Sequence, residues 1–274
     1  MKTKLMLADL VLLQMEGYLP KAMEVLSANQ EITTVIEEAK AKSSHPGLYK
    51  SIVNKSIVNQ FGDRHITLRE LGQNAKDSYD EATPKKKVEF TVEEKENEFT
   101  IIVRDYGRGM EPHELLKDLL IPYNSSKVMD LDKIGEHGIG WYSIMDLAQK
   151  VEVITGRNEK ISKAMVYKSM DDWFTDIEIS GGSQKGTFII AHVEKSRTSV
   201  KLIKQNILKH LGLVDSEKVD ILVNNEKYNL TDTKYPYSVK VVLNYKGRKD
   251  ALRIAYRKAD DKLKTITVTQ DGLY

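Results

Sequence analysis

The chain has 274 residues, 41% hydrophobic and 30% charged, with no cysteine and a formal net charge of +2. That length allows one large domain or a domain with part of another, and the composition excludes a wholly disordered, collagen-like or low-complexity chain. The lack of thiols excludes a disulfide scaffold, a thiolate zinc site and a cysteine nucleophile and suits a reducing, cytoplasmic compartment, while 42 basic against 40 acidic residues is too even to announce nucleic acid.

The longest early apolar stretch, Leu5 to Met15, is broken by Asp9 and Gln14 and falls short of the ~20 residues a membrane helix needs. It continues through Glu16-Gly17-Tyr18-Leu19-Pro20 without a small-residue cleavage site, which speaks against a secretory signal. Leu5, Met6, Leu10 and Leu13, then Val25, Ile32, Val35 and Ile36 beyond a break at Gly17 and Pro20, predict helices over residues 3–42. Residues 1–65 read as an N-terminal helical arm. The echo of Ser51-Ile52-Val53-Asn54 in Ser56-Ile57-Val58-Asn59 is a single repetition, too short for a solenoid.

A helix is expected from Thr67 to about Asp80, ended by Pro84. Its Glu70 and Asn74 stand one turn apart on one face, with Asp77 extending the same polar side. A carboxylate there can take a proton from water, and an amide oxygen one turn on can ligate a hard cation such as magnesium. An ordinary solvated helix face would look the same. Strands at 87–93 and 98–104 then form a hairpin around Glu94-Lys95-Glu96-Asn97.

The second of these strands runs into Asp105-Tyr106-Gly107-Arg108-Gly109-Met110. Gly107 and Gly109 let backbone approach a flat ligand, Asp105 can accept a hydrogen bond from an exocyclic amine, and Met110 can pack on a ring. A plain turn is the ordinary alternative. A dinucleotide fingerprint fails, because the third glycine position holds Pro112.

After a weakly patterned segment, 111–134, comes Gly135-Glu136-His137-Gly138-Ile139-Gly140 before a helix expected to run to about Gln149. Successive glycines at a helix start expose backbone N–H groups that suit phosphate oxygens, although no Gly-Lys-Ser/Thr follows to make a phosphate loop of the Walker kind. Strands are expected at 151–155 and near 161–168, 173–179 and 186–193, the last opening with Gly186-Thr187; a helix near 198–210 and a hairpin near 219–230 follow. His45, His65, His113, His192 and His210 have no paired metal spacing, so no zinc site is expected. Hairpins mixed with helices predict an α+β fold, a largely antiparallel sheet covered on one face.

Taken together, Glu-x-x-x-Asn on a helix, Asp-x-Gly-x-Gly-Met after a strand, Gly-x-x-Gly-x-Gly before a helix and Gly-Thr on a later strand resemble the four boxes of the GHKL ATPase superfamily. Within it, Gly135 to Thr155 (GEHGIGWYSIMDLAQKVEVIT) and Gly186 to His192 (GTFIIAH) look most like the heat shock protein 90 family. The resemblance covers roughly residues 66–230. Residues 1–65 lie outside it and show no likeness to the short N-terminal strand those chaperones exchange on dimerising. Trp141 stands where phenylalanine is usual.

The resemblance implies a Bergerat-type ATP-binding fold, with ATP and magnesium as ligands. Glu70 would be the general base and Asn74 the magnesium ligand, with Asp77 beside them. Asp105 would bind the adenine amine, with Thr187 in its polar network and Gly107, Gly109 and Met110 lining the base pocket. Gly135, Gly138, Ile139 and Gly140 would lend backbone to the phosphates. Residues 111–134 would be a lid, from which Lys127 could reach a phosphate. The expected division is an arm at 1–65, an ATP-binding domain at 66–232 and the start of a second domain at 233–274.

That last stretch carries ten Lys and Arg against four Asp, a net +6. A homodimer formed through the ATPase domain is one implied partner. A protein client and DNA both stay open as the cargo, the DNA-associated alternative being a clamp of the MutL or MORC kind. A histidine kinase catalytic domain and a nucleotide sensor are further alternatives.

Overall fold

Strand signals read every second residue build the centre of the molecule. The computed structural model describes residues 2–57, 64–122, 140–211, 218–228, 237–245, 248–256 and 268–270. The first element is a strand, β1 (Lys2–Met6), followed by helices α1 (Leu7–Met15), α2 (Leu19–Ser27), α3 (Thr33–Lys42) and α4 (Pro46–Ile57). Then come α5 (Ile66–Asp77), the hairpin β2 (Lys86–Glu94) and β3 (Glu98–Asp105), and the single turn α6 (Pro112–Glu114), which runs into a π-helical turn at Leu115–Leu119. A 3₁₀ turn at Gly140–Ser143 leads into α7 (Ile144–Leu147), β4 (Lys150–Arg157), β5 (Lys160–Ser169), β6 (Asp172–Gly181) and β7 (Thr187–Glu194). The chain continues with α8 (Val200–Leu211), β8 (Val219–Val223) and β9 (Glu226–Lys227).

These nine strands form one sheet in the order β1-β6-β5-β4-β7-β3-β2-β8-β9. Every neighbouring pair is antiparallel except β2 and β8. A second sheet of three strands holds β10 (Tyr237–Tyr245), β11 (Arg248–Tyr256) and β12 (Val268–Gln270). The α+β class and the mixed, mostly antiparallel sheet are those expected.

One core joins the helices to the sheet. Leu10 and Leu13 of α1, Ala39 of α3, Leu68 and Leu71 of α5, Ile203 and Ile207 of α8, and Val88, Ile101, Val151 and Val153 of the strands belong to the same buried cluster. Leu10, Leu13, Leu68, Ile101 and Ile203 are wholly inaccessible.

Three boundaries differ from expectation, each for a non-local reason. Residues 2–6 are a strand where helical period was read, because they pair antiparallel with β6 from Lys2↔Glu178 to Met6↔Phe174. Lys2 ion-pairs with Asp176 at 2.9 Å, and the Lys4 ammonium lies 4.5 Å from the Phe174 ring centroid. An N-terminal strand is therefore present. Helix α5 stops at Asp77, short of Asp80, where Ser78 Oγ donates to the Ala75 carbonyl and Tyr79 turns its phenol to β2. The helix after the glycine cluster ends at Leu147, because the Gln149 N–H is taken by the His192 carbonyl of β7. Among the described residues, no helix is long and apolar enough to cross a membrane.

Candidate functional site

Glu70 and Asn74 lie one turn apart on α5, both half-buried, with Asp77 closing the helix. Arg69 grips one oxygen of its neighbour: Nε and Nη2 donate to Glu70 Oε1 at 3.1 and 2.7 Å. The other oxygen faces Gly140, where a Cβ would fall 2.5 Å from Glu70 Oε2. The end of the second glycine cluster thus sits against the carboxylate with only hydrogen between them.

Asp105 is the last residue of β3 and only 4% exposed. Its Oδ1 accepts the N–H of Gly107 at 2.9 Å and of Thr187 at 3.3 Å. Burial pushes the carboxyl up to about 6, against the opposing pull of hydrogen bonds from Gly107, Ser78 and Thr187. Ser78 follows α5 directly, so the helix bearing Glu70 meets the strand bearing Asp105 at this point. Gly109 and Gly186 both adopt positive φ, +67° and +72°, and both are pressed on backbone. A Cβ at Gly109 would fall 2.1 Å from the Gly156 carbonyl oxygen, and one at Gly186 would fall 2.1 Å from that of Asp105. No L side chain fits either place.

Thr187 begins β7 and is buried beside Thr155 of β4, their hydroxyl oxygens 3.0 Å apart. Thr155 Oγ1 also accepts the Met110 N–H at 2.9 Å, and the Met110 side chain packs half-buried against the core. The structure therefore gathers Asp105, Gly107, Gly109, Met110 and Thr187 at one end of the sheet. Lys127, Gly135, Gly138 and Ile139 lie outside the described residues.

Thr155 and Tyr79 escaped sequence reasoning. In Val151-Glu152-Val153-Ile154-Thr155 the alternation points position 155 inward, and a polar residue at an apolar position was the available signal. Tyr79 Oη accepts the N–H groups of Tyr106 at 2.9 Å and Lys87 at 3.1 Å and donates to the Lys87 carbonyl, pinning the end of α5 to β2 and β3. No sequence signal distinguishes that tyrosine from a surface one. A hollow of about 450 Å³ lined by Asn97, Glu98, Gln149, Glu194, Lys195 and Ser196 involves none of these residues.

The histidine kinase-like ATPase domain family matches residues 17–163, more than half the chain, taking in α5, Asp105 and the glycine cluster. The chain belongs to that family. This ATPase domain is also similar to chaperone protein HtpG of Vesicomyosocius okutanii, 26% identical over 167 residues that make up 53% of this chain and 27% of that protein. HtpG of Francisella tularensis subsp. holarctica is 28% identical over 184 residues, 58% of this chain and 28% of that protein. HtpG of Rickettsia rickettsii is 26% identical over 202 residues, 65% and 31%. The match agrees with the GHKL superfamily resemblance read from the sequence, and within that superfamily these similarities are to HtpG chaperones. The match spans less than a third of the length of these curated relatives.

Proposed function

We propose that this chain binds ATP with magnesium and hydrolyses it to ADP and phosphate. The observation that carries the reading is the buried Asp105 acceptor beside the Thr155–Thr187 hydroxyl pair, joined through Ser78 to the helix of Glu70 and Asn74. The residues fit a purine nucleotide: Asp105 is a desolvated acceptor flanked by glycine backbone, and Gly140 leaves room against Glu70 where a side chain would fill it.

Asp105 accepts the adenine amine, Thr187 adds a hydroxyl to the same edge, and Gly107, Gly109 and Met110 line the base. Asn74 offers its amide oxygen to magnesium, which when bound neutralises phosphate charge and orients the terminal phosphoryl group. Asp77 extends that polar side. Glu70 takes the proton of the attacking water on Oε2, while Arg69 holds the other oxygen and fixes the carboxylate plane. Gly135, Gly138, Ile139 and Gly140 lend N–H groups to phosphate oxygens, and Lys127 adds a cation. Residues 111–134 are assigned the role of a lid that would exclude water; α6 and the turn after it belong to this segment, and residues 123–134 lie outside the described residues.

The relatives are named chaperones, which supports a chaperone-like ATPase; we assign to it, as part of the same reading, a cytoplasmic homodimeric clamp. On this reading residues 66–232 are assigned as its ATP-binding part, 1–65 as an N-terminal arm and 233–274 as belonging to a second domain.

Calorimetric titration of magnesium–ATP and steady-state hydrolysis test the reading. Wild type is expected to bind and turn over, Asp105→Ala to lose binding, and Glu70→Ala to bind without turnover. Retained affinity in Asp105→Ala, or retained turnover in Glu70→Ala, would overturn the assignment.

A further inference from the structure

The register between β2 and β3 runs from Glu94↔Phe99 to Val88↔Asp105 and ends there, at the buried carboxylate. In a ladder that continued, Lys87 and Tyr106 would face each other and share main-chain hydrogen bonds. Instead the Tyr79 phenol stands between them. Its oxygen accepts the Tyr106 N–H at 2.9 Å and the Lys87 N–H at 3.1 Å, and its own proton goes to the Lys87 carbonyl at 2.5 Å. Both main-chain groups can only donate, so the direction of all three bonds is fixed and the hydroxyl has no capacity left. Burial is the largest influence on the phenol and pushes it up, which keeps the proton on the oxygen.

Tyr79 stands two residues beyond the end of α5, and the residue between, Ser78, is laced to the same strand exit. The Ser78 carbonyl accepts the Arg108 N–H at 3.0 Å, and a Cβ on Gly107 would fall 2.1 Å from Ser78 Oγ. The helix of Glu70 and Asn74 therefore cannot slide against the strand of Asp105 without breaking these bonds. Parting β3 from β2 one residue past Asp105 also lets the chain turn at Tyr106, and the Gly107 N–H comes back to Asp105 Oδ1 at 2.9 Å.

We propose that Tyr79 is a positioning residue whose phenol, wedged between β2 and β3, yokes the helix carrying Glu70 to the strand carrying Asp105 so that a nucleotide seated on the strand meets the general base in register. The inference rests on the nucleotide-binding reading above. Base and terminal phosphate lie at opposite ends of the ligand, so a joint of fixed length between the groups that hold them turns binding at one end into placement at the other.

The test compares wild type with Tyr79→Phe, which keeps the ring and removes the oxygen, by calorimetry with magnesium–ADP and by steady-state hydrolysis of magnesium–ATP. In Tyr79→Phe the Kd for ADP is expected to weaken by about tenfold, the worth of one hydrogen bond. Turnover per binding site is expected to fall by about ten- to hundredfold, the effect of a small misplacement of reacting groups. A tyrosine with a purely structural role would lower the binding stoichiometry and Tm and leave Kd and kcat per site as they were.

Tyr79→Phe with either constant unchanged overturns the inference, because a rigid joint acts on both ends. If that variant does not fold, hydrogen exchange on wild type decides. The Lys87 N–H lies on β2 and is tied to the strand exit through the phenol, so ADP is expected to slow its exchange several-fold, and an unchanged rate overturns the yoke. Either failure leaves nucleotide binding intact. Absence of any adenine-nucleotide binding to wild type overturns the underlying reading and this inference with it.

Discussion

Asp105 keeps its proton to a higher pH than a free carboxyl because its surroundings are nearly dry. The sign of the consequence follows from linkage. Below the ordinary value of 3.8 the group is protonated in both folded and unfolded chains and costs nothing. Between there and about 6 only the unfolded chain has ionised, so folding stability falls as pH rises, by on the order of 3 kcal/mol, and is level above that window. Ligand-free Asp105→Asn should match wild type near pH 4 and exceed it at pH 8, as denaturant unfolding at the two pH values would reveal. A stability gap that does not widen from pH 4 to 8 would refute a buried, reluctant carboxylate. Nucleotide affinity should move the other way, rising through pH 6 as Asp105 becomes a pure acceptor. The same residue thus weakens the fold and equips the site, a conflict expected where function overrides stability.

Among the elements, the turn Gly140–Ser143 shows how a local stretch is held by distant ones. Tyr142 is fully buried, burial pushes its phenol upward, and its O–H donates to the Leu120 carbonyl at 2.5 Å, beyond the π-helical turn. That bond joins the end of the second glycine cluster to the chain that leaves Met110. The same stretch is fastened from β4, where Arg157 ion-pairs with Glu111 and Glu114 and Asn158 Nδ2 donates to Glu111 at 2.6 Å. Glu111 and Glu114 also form a capping box around α6. Tyr142→Phe strands a buried carbonyl and should cost about 1–2 kcal/mol, a fall in Tm of several degrees. An unchanged melting curve would mean the carbonyl finds another donor.

At the scale of the whole molecule, the N-terminal helices are part of the structure that holds the site. Fifteen of the buried apolar side chains, from Leu5 to Val53, belong to α1–α4, the strand before them and Ile32 at the cap of α3. Full burial of each Leu, Ile and Val among them contributes about 1.5–3 kcal/mol, so losing even a fraction of those contacts exceeds the ~5–15 kcal/mol that holds a domain together. Deleting residues 1–65 should therefore abolish cooperative folding, seen as loss of a sharp thermal transition and as aggregation in gel filtration. A truncated chain that melts cooperatively and binds ATP would show that 66–232 stands alone.

Much of this was written in short-range pattern. The hairpin of β2 and β3, the strands β4 to β7 and the helix α8 follow from alternation and helical period, which depend on neighbours two to four residues away. Glu70 and Asn74 share a helix turn, and Asp105 precedes its glycines in a spacing that survives any error in element boundaries. What the tertiary structure alone decided were the partnerships. Lys2–Met6 became a strand because the edge of β6 lay open to it, about 170 residues on. Thr155 entered the site because β4 and β7 set its hydroxyl beside Thr187, and Tyr79 because β2 and β3 bring three backbone groups to one oxygen. A side chain's residue type states what it can donate or accept; which group answers it depends on atoms far away in the chain, and only packing brings those within 3 Å.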